Sequence, residues 1–222
     1  MGILFSIKHL IRMANLTVYG TPVSTYVRTV RLLLESASID YTLKSVNIFN
    51  GESQSAEYLA KNPFGKVPTL DIDGESLYET AAITEYLDAV FANHEFSPAE
   101  PLLQARMRQI MAIIDSYLYP SAISNIVIQR LIVPSQGGTS DEAKINSGIA
   151  PAQTALLAIE ALTIGSPYLL GSTPSIADFY LIPIFIYLSQ TAEFKTITAQ
   201  TPKLLTWWAE ASQLAIVKKV CK

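Results

Sequence analysis

The chain has 222 residues, half of them hydrophobic, which is enough to bury one large core or two modest ones. Its 16 Lys and Arg against 19 Asp and Glu leave a formal charge of -3, which argues against a surface that follows phosphates and against nucleic acid as a partner. One cysteine, Cys221, and two histidines, His9 and His94, exclude an internal disulfide, a CxxC redox pair, a thiolate cluster and a His-rich metal site, and the lone thiol points to a reducing compartment, the cytoplasm.

Residues 1–14 read as a tail. "MGILFS" fits a loose myristoylation pattern, Lys8 and Arg12 interrupt any signal-peptide core, and a short amphipathic membrane contact is the remaining role for this stretch. From residue 16 the pattern predicts a strand in "LTVYG", a helix over 27–37, a strand in "YTLKSVNI" and a short helix over 53–61. Next come "NPFGKVPTLDI", the turn Asp73-Gly74, "ESLYE" and a helix over 80–91. The order is βαβ, then a hairpin and a helix. A parallel pair joined to an antiparallel one makes a mixed sheet of four strands.

After "NHEFSPAEP" no alternating strand recurs, and apolar residues return at intervals of three and four. Ile145, Ile149, Ala152, Leu156 and Ile159 form one such stripe, which predicts a helical bundle. "FYLIPIFIYL", residues 179–188, is apolar all round but too short to span a bilayer, so it reads as a central buried helix. Ser175 and Asp178 stand at capping-box spacing ahead of it. The domain boundaries expected from these patterns are 15–92, a linker over 93–100, and an all-helical domain over 101–222.

No GxSxG, GxGxxG or P-loop is present, so any catalysis must need little acid or base. Three places have ligand chemistry instead. Ser24 and Thr25 lie where a strand gives way to a helix; either hydroxyl suits a helix cap, and either is free to donate to a ligand. In "GKVPTL", Pro68 removes a donor and forces Val67 into extended backbone. A cis Val67-Pro68 bond would turn the Val67 N–H and C=O outward to pair with an extended peptide, whereas a trans bond would only start a strand. Glu79 and Thr80 open a helix, where free N–H groups and the dipole suit a carboxylate and the Glu79 side chain suits an ammonium.

The strings "YGTPVSTYVRTVRLLLE", "NPFGKVPTL", "LYETAAITEYL", "PSIADFYLIPIF" and "PKLLTWW", in this order and spacing, resemble a cytosolic glutathione transferase, most closely the serine-type phi and theta groups. The resemblance runs from about residue 16 to 208. It implies an α/β thioredoxin-like domain followed by an all-helical domain, a homodimer, glutathione as cosubstrate with no metal, and addition of the glutathione thiolate to hydrophobic electrophiles, with peroxide reduction as a further reaction. The alternative is a noncatalytic module of the same family used for protein assembly. A glutaredoxin-like reductase is disfavoured, because no cysteine occupies residues 21–28.

Carried onto this chain, the resemblance implies that Ser24, with Thr25 as rival, contacts the glutathione sulfur. Val67 before Pro68 would pair with the cysteinyl backbone, and Glu79 and Thr80 would hold the γ-glutamyl end. Lys66 would reach the glycyl carboxylate, and Arg28 would act in structure or electrostatics. Phe64 resembles the aromatic that plugs into a partner subunit, and Tyr117 on the long helix is the candidate wall for the electrophile. Two positions depart from the pattern. Ser53 stands where phi enzymes often carry a basic residue for the glycyl carboxylate, and Thr80 replaces the usual serine.

Overall fold

The computed structural model describes residues 14–222, so the tail with its acylation pattern, and His9, lie outside the described residues. The chain divides into two units, the first reaching Ser97 and taking in Lys219–Lys222, the second Pro98–Lys218.

The first unit holds a four-stranded sheet in the order β2-β1-β3-β4, from β1 (Leu16–Tyr19), β2 (Thr42–Lys44), β3 (Thr69–Ile72) and β4 (Glu75–Tyr78). β1 runs parallel to β2 and antiparallel to β3, and β3 pairs antiparallel with β4, so the sheet is mixed as expected. Helix α1 (Thr25–Ser36) makes the crossover between β1 and β2, and it buries Val27, Val30, Leu33 and Leu34. Asp73 and Gly74 both take positive φ, 52° and 98°, which the two-residue turn between β3 and β4 requires. The Asp71 side chain accepts from the Gly74 N–H at 3.0 Å and fixes that turn. Helix α3 (Thr80–Phe91) has the predicted bounds.

Three elements differ from expectation, each for a local reason. The strand expected over 41–48 is only three residues long, because residues beyond it fold onto themselves. Asn47 N–H donates to Glu52 Oε2 at 2.7 Å, Phe49 N–H to Asn47 Oδ1 at 2.9 Å and Glu52 N–H to Asn50 Oδ1 at 3.1 Å. Such side-chain turns compete with ladder pairing. The short helix expected over 53–61 is broken into a 3-10 turn, Glu52–Gln54, and α2 (Ala56–Leu59). Ser55 separates them with extended backbone (ψ 149°), and its Oγ accepts the Tyr58 N–H at 3.2 Å. Helix α1 starts two residues early, at Thr25, because Ser24 is its N-cap.

The second unit is all helical. A continuous helix α4 (Pro101–Ser135) is π-type over Ile114–Ile132. It is followed by α5 (Glu142–Leu162), α6 (Ile176–Leu188), α7 (Phe194–Ile197), α8 (Pro202–Ala211) and α9 (Ala215–Val220), whose last residues join the first unit. The expected α5 stripe is inside, with Ile149 half-buried and the others buried. Among the described residues only α4 is long and apolar enough to cross a membrane, and half of its most apolar window is buried within the protein, as for a core helix.

Helix α6 is the centre of this unit, with Tyr180, Phe185 and Leu181 at or below 1% exposure. Its start depends on Asp178, which reaches back one turn. One carboxylate oxygen accepts the Ser175 N–H at 2.8 Å and the Ser175 hydroxyl at 2.7 Å; the other accepts the Leu169 N–H at 3.0 Å and Trp207 Nε1–H at 2.8 Å. Burial pushes this carboxyl above its ordinary value, and the four donors oppose the shift. The expected capping box is therefore present, with Asp178 as its centre. Asp178→Ala strands these donors in the core, and urea unfolding should show a loss of at least about 3 kcal/mol.

Candidate active site

Sheet register decides which motifs meet. Tyr19 pairs with Thr69, and Thr69 with Tyr78, so one row of residues crosses three strands at the same end of the sheet. The residues just beyond that row are Gly20 leading to Ser24, Val67 and Pro68 entering β3, and Glu79 leaving β4. Three motifs far apart in sequence thus come to one edge of the first unit. Gly20 permits the close packing here, since a Cβ there would run into Val27 Cγ2 and lie 3.3 Å from Val67 Cβ.

Ser24 sits at the start of α1 in extended backbone, half-buried, and its N–H donates to Thr21 C=O at 3.1 Å. Its Oγ accepts the Val27 N–H at a long 3.5 Å, a weak cap. This uses the oxygen as an acceptor and leaves the hydroxyl proton available. Thr25, the rival, is at 6% exposure on the first turn of α1. Burial therefore separates Ser24, the hydroxyl favoured from the sequence, from its rival Thr25.

Arg28, one turn further on and 3% exposed, ties the Ser24 turn down. Its Nε donates to Pro22 C=O at 3.1 Å and its Nη2 to Lys222 C=O at 3.1 Å. Arg31 adds a bond from Nη1 to Val220 C=O at 3.4 Å. Cys221 lies between these contacts, buried; burial pushes its thiol up from the ordinary value, with the two arginines opposing. A buried thiol with a raised pKa is the inert kind, not a disulfide-exchange nucleophile.

The Val67-Pro68 bond is cis. Among the described residues no hydrogen bond engages the N–H or C=O of Val67. Lys66 is exposed beside it, whereas Ser53 is at 4% exposure within its 3-10 turn. The Ser53 carbonyl would lie 2.8 Å from a Cβ at position 65, where φ is +58°, so Gly65 suits both the backbone and the space. Of the two groups expected at the glycyl end, Lys66 is thus the one presented to solvent.

Glu79 has φ 70° and ψ 118°, a strained conformation for a residue with a side chain. It is the N-cap of α3 by position, yet its exposed carboxylate makes no capping bond. The first N–H groups of α3 are therefore left for another acceptor, with the half-buried Thr80 beside them. Sequence reasoning passes over two residues here, Tyr58 and Asn62, which both reach the Lys66 carbonyl. The asparagine ahead of Pro63 is a turn signal that could have exposed half of this pair; the tyrosine in a four-residue helix has none.

Tyr117 lies in the second unit, 65% exposed, in a cleft of about 530 Å³ between α4 and α5. Pro120, Pro151, Ala155 and Ala158 make most of its apolar wall. The helices close at Gly148, where a Cβ would be 2.5 Å from Ser121 C=O. Among the described residues no group of three or more His, Cys, Asp or Glu is gathered as for a metal ion.

Residues 18–95 match the model of the glutathione S-transferase N-terminal domain, and residues 142–210 that of the C-terminal domain. Glutathione S-transferase 1 of Zea mays is 29% identical over 208 residues, covering 94% of this chain and 96% of its own length. Glutathione S-transferase F6 of Arabidopsis thaliana is 27% identical over 213 residues, covering 94% and 100%. Among solved structures, glutathione transferase F7 from Populus trichocarpa superposes with a TM-score of 0.81 at 30% identity, over 92% of this chain and 97% of that one. Glutathione S-transferase I from maize, in complex with an atrazine glutathione conjugate, does so with a TM-score of 0.79 at 26% identity, over 94% and 97%. With both units matched by family models and relatives aligned along nearly its whole length, the chain belongs to the glutathione S-transferase family.

Proposed function

We propose that the protein joins the sulfur of glutathione to apolar electrophiles, and that Ser24 keeps the sulfur anionic while it attacks. The observation that carries this is the Ser24 hydroxyl, which caps α1 as an acceptor only and stands at the sheet end that also presents Val67 and Glu79. The relatives and neighbours named above are transferases, one with a glutathione conjugate bound, and they favour catalysis over the noncatalytic module.

In this reading the γ-glutamyl carboxylate lies on the free N–H groups of α3 and the Thr80 hydroxyl, with its ammonium at Glu79. The cysteinyl backbone pairs with Val67 before Pro68, and Lys66 meets the glycyl carboxylate. Ser53, the other residue expected at that end, is buried at 4% exposure. The thiol proton leaves to solvent, the thiolate attacks the electrophilic carbon, and the leaving group departs with the electron pair of the broken bond. Reduction of a peroxide by the same thiolate is a second reaction open to the site. Detoxification in the cytoplasm suits this chemistry and the unpaired Cys221.

A free thiol with a pKa of about 8.5 is only about 3% thiolate at pH 7. A hydrogen bond to a charged group contributes roughly 1.5 to 3 kcal/mol, and one pKa unit is about 1.4 kcal/mol, so one donated bond lowers the thiol pKa by about one to two units. Ser24 donates without losing its proton, so no histidine base is needed. The sign follows directly: removing the donor destabilises the anion and raises the pKa. Ser24→Ala should move the alkaline rise of kcat/KM for the electrophile, measured at saturating glutathione, upward by about one to two pH units; an unshifted profile at full rate would remove Ser24 from this role.

The family dimer is part of the proposal. Phe64 is 63% exposed, touching the Tyr78 ring edge-on at 5.9 Å, and the α4–α5 cleft has the apolar wall an aromatic ring needs. We place Phe64 of one copy in that cleft of a second copy. The electrophile reading of Tyr117 competes for the same cleft, and the bare Phe64 ring favours the second copy. Phe64→Ala should then weaken self-association at least about tenfold in sedimentation equilibrium without lowering the helical content. An unchanged association constant would return the cleft to the electrophile.

Glu79 gives a test that separates stability from binding. Glu79→Gly relieves the positive φ, so unfolding free energy should hold or rise by about 1 kcal/mol, while the glutathione KM increases several-fold. A loss of stability together with an unchanged KM would assign the strain to folding alone.

A further inference from the structure

The only cis bonds among the described residues precede Pro68 and Pro167, so the peptide joining Lys66 to Val67 is trans and its C=O and N–H point in opposite directions. On the carbonyl side, the Tyr58 hydroxyl donates to Lys66 C=O at 2.7 Å and Asn62 Nδ2 donates to the same oxygen at 2.9 Å. A carbonyl has two lone pairs, and both are engaged. Tyr58 and Asn62 are 4% and 2% exposed, so the oxygen they hold is aimed inward. The Val67 N–H must then be turned outward.

Each donor is itself fixed. Asn62 Oδ1 accepts the Phe64 N–H at 3.1 Å, which sets which end of the amide faces Lys66. The Tyr58 hydroxyl lies 3.0 Å from Thr69 Oγ1, and its backbone N–H is held by Ser55 at the start of α2. Gly65 N–H donates to Asn62 C=O at 3.0 Å, closing the turn between them. A loop peptide next to a ligand is ordinarily able to rotate about its plane, and a hydrogen bond to it then costs ordering entropy. Here that rotation is blocked before any ligand arrives.

We propose that Tyr58 and Asn62 are positioning residues for glutathione: they pin the Lys66 carbonyl so that the Val67 N–H is already presented to the cysteinyl carbonyl of the tripeptide. This rests on the reading of Val67 as the partner of the cysteinyl backbone. Burial pushes the Tyr58 hydroxyl up from its ordinary pKa, so it remains a proton donor through the range in which the bound thiol ionises. Neither side chain touches the sulfur in this scheme. Their effect falls on binding and not on the chemical step.

Tyr58→Phe keeps the ring in the core and deletes only the donor. Its glutathione KM should rise about three- to tenfold with kcat held within about twofold, and the Val67 amide resonance of the glutathione-free protein should shift and broaden. Tyr41→Phe is the control, because it deletes a tyrosine hydroxyl bonded to Arg31 and Glu35 and leaves the loop before Pro68 alone; its KM should stay as in the unaltered protein. The clamp is overturned if Tyr58→Phe leaves both KM and the Val67 resonance unchanged, or if Tyr41→Phe raises KM equally. If the Val67 resonance of the unaltered protein does not move when glutathione is added, the reading of Val67 as its partner fails and the clamp falls with it. A glutathione-linked shift in the unaltered protein, with Tyr58→Phe behaving identically, removes the clamp alone.

Discussion

A hydroxyl oxygen can accept from a helix N–H while its proton points elsewhere, and the chemistry proposed for this protein depends on that double use at Ser24. The cap bond to Val27 is long, so the start of α1 draws little from it, and the remaining restraint comes from Arg28 gripping Pro22 C=O. A buried guanidinium thus holds the turn that a stronger cap would otherwise hold. The Ser24 side chain is correspondingly free to spend its better hydrogen bond on a ligand. Structure and chemistry do not compete for the same proton.

The second constraint is register. Because Tyr19, Thr69 and Tyr78 share a row, a slip of one residue in either antiparallel pair would move Val67 or Glu79 away from Ser24 and reverse the faces of β3 or β4. The Asp73-Gly74 turn fixes one of these pairings, and the buried Val18 and Leu70, directly opposite each other, fix the other. Site geometry is therefore set by core packing and one turn. Nothing in the loops has to encode it separately.

That division explains what could be read from the chain. Hairpin chemistry at Asp73-Gly74, the bounds of α3, the capping box ahead of α6 and the apolar character of α6 all follow from local pattern, and local pattern was sufficient. The motifs proposed to hold glutathione are legible as residue types, and burial, which depends on how α1 packs, adds a difference between Ser24 and Thr25 that no local rule supplies. β2 and the 53–61 helix were read too long because Asn47, Asn50, Glu52 and Ser55 make side-chain bonds to nearby N–H groups, and periodicity does not register such bonds. Tyr58 and Asn62 were missed for a different reason. Their role is to hold a carbonyl eight and four residues away, a contact that exists only once the loop has closed.

Three titratable groups with shifted pKa values have structural duties. Asp178 anchors the start of α6, and Arg130 bonds both Glu193, at 2.9 Å through Nε, and Glu142, at 2.9 Å through Nη2, which raises its pKa further. Cys221 is buried against α1. The candidate site, by contrast, is made of a hydroxyl, backbone groups, a helix start, one lysine and one strained glutamate. In the proposed reaction the ionisation that governs the rate belongs to the thiol the site binds. In that proposal the protein acts on the ionisation only through the placement of donors, and placement is what α1, the sheet register and the closed loop before Pro68 supply.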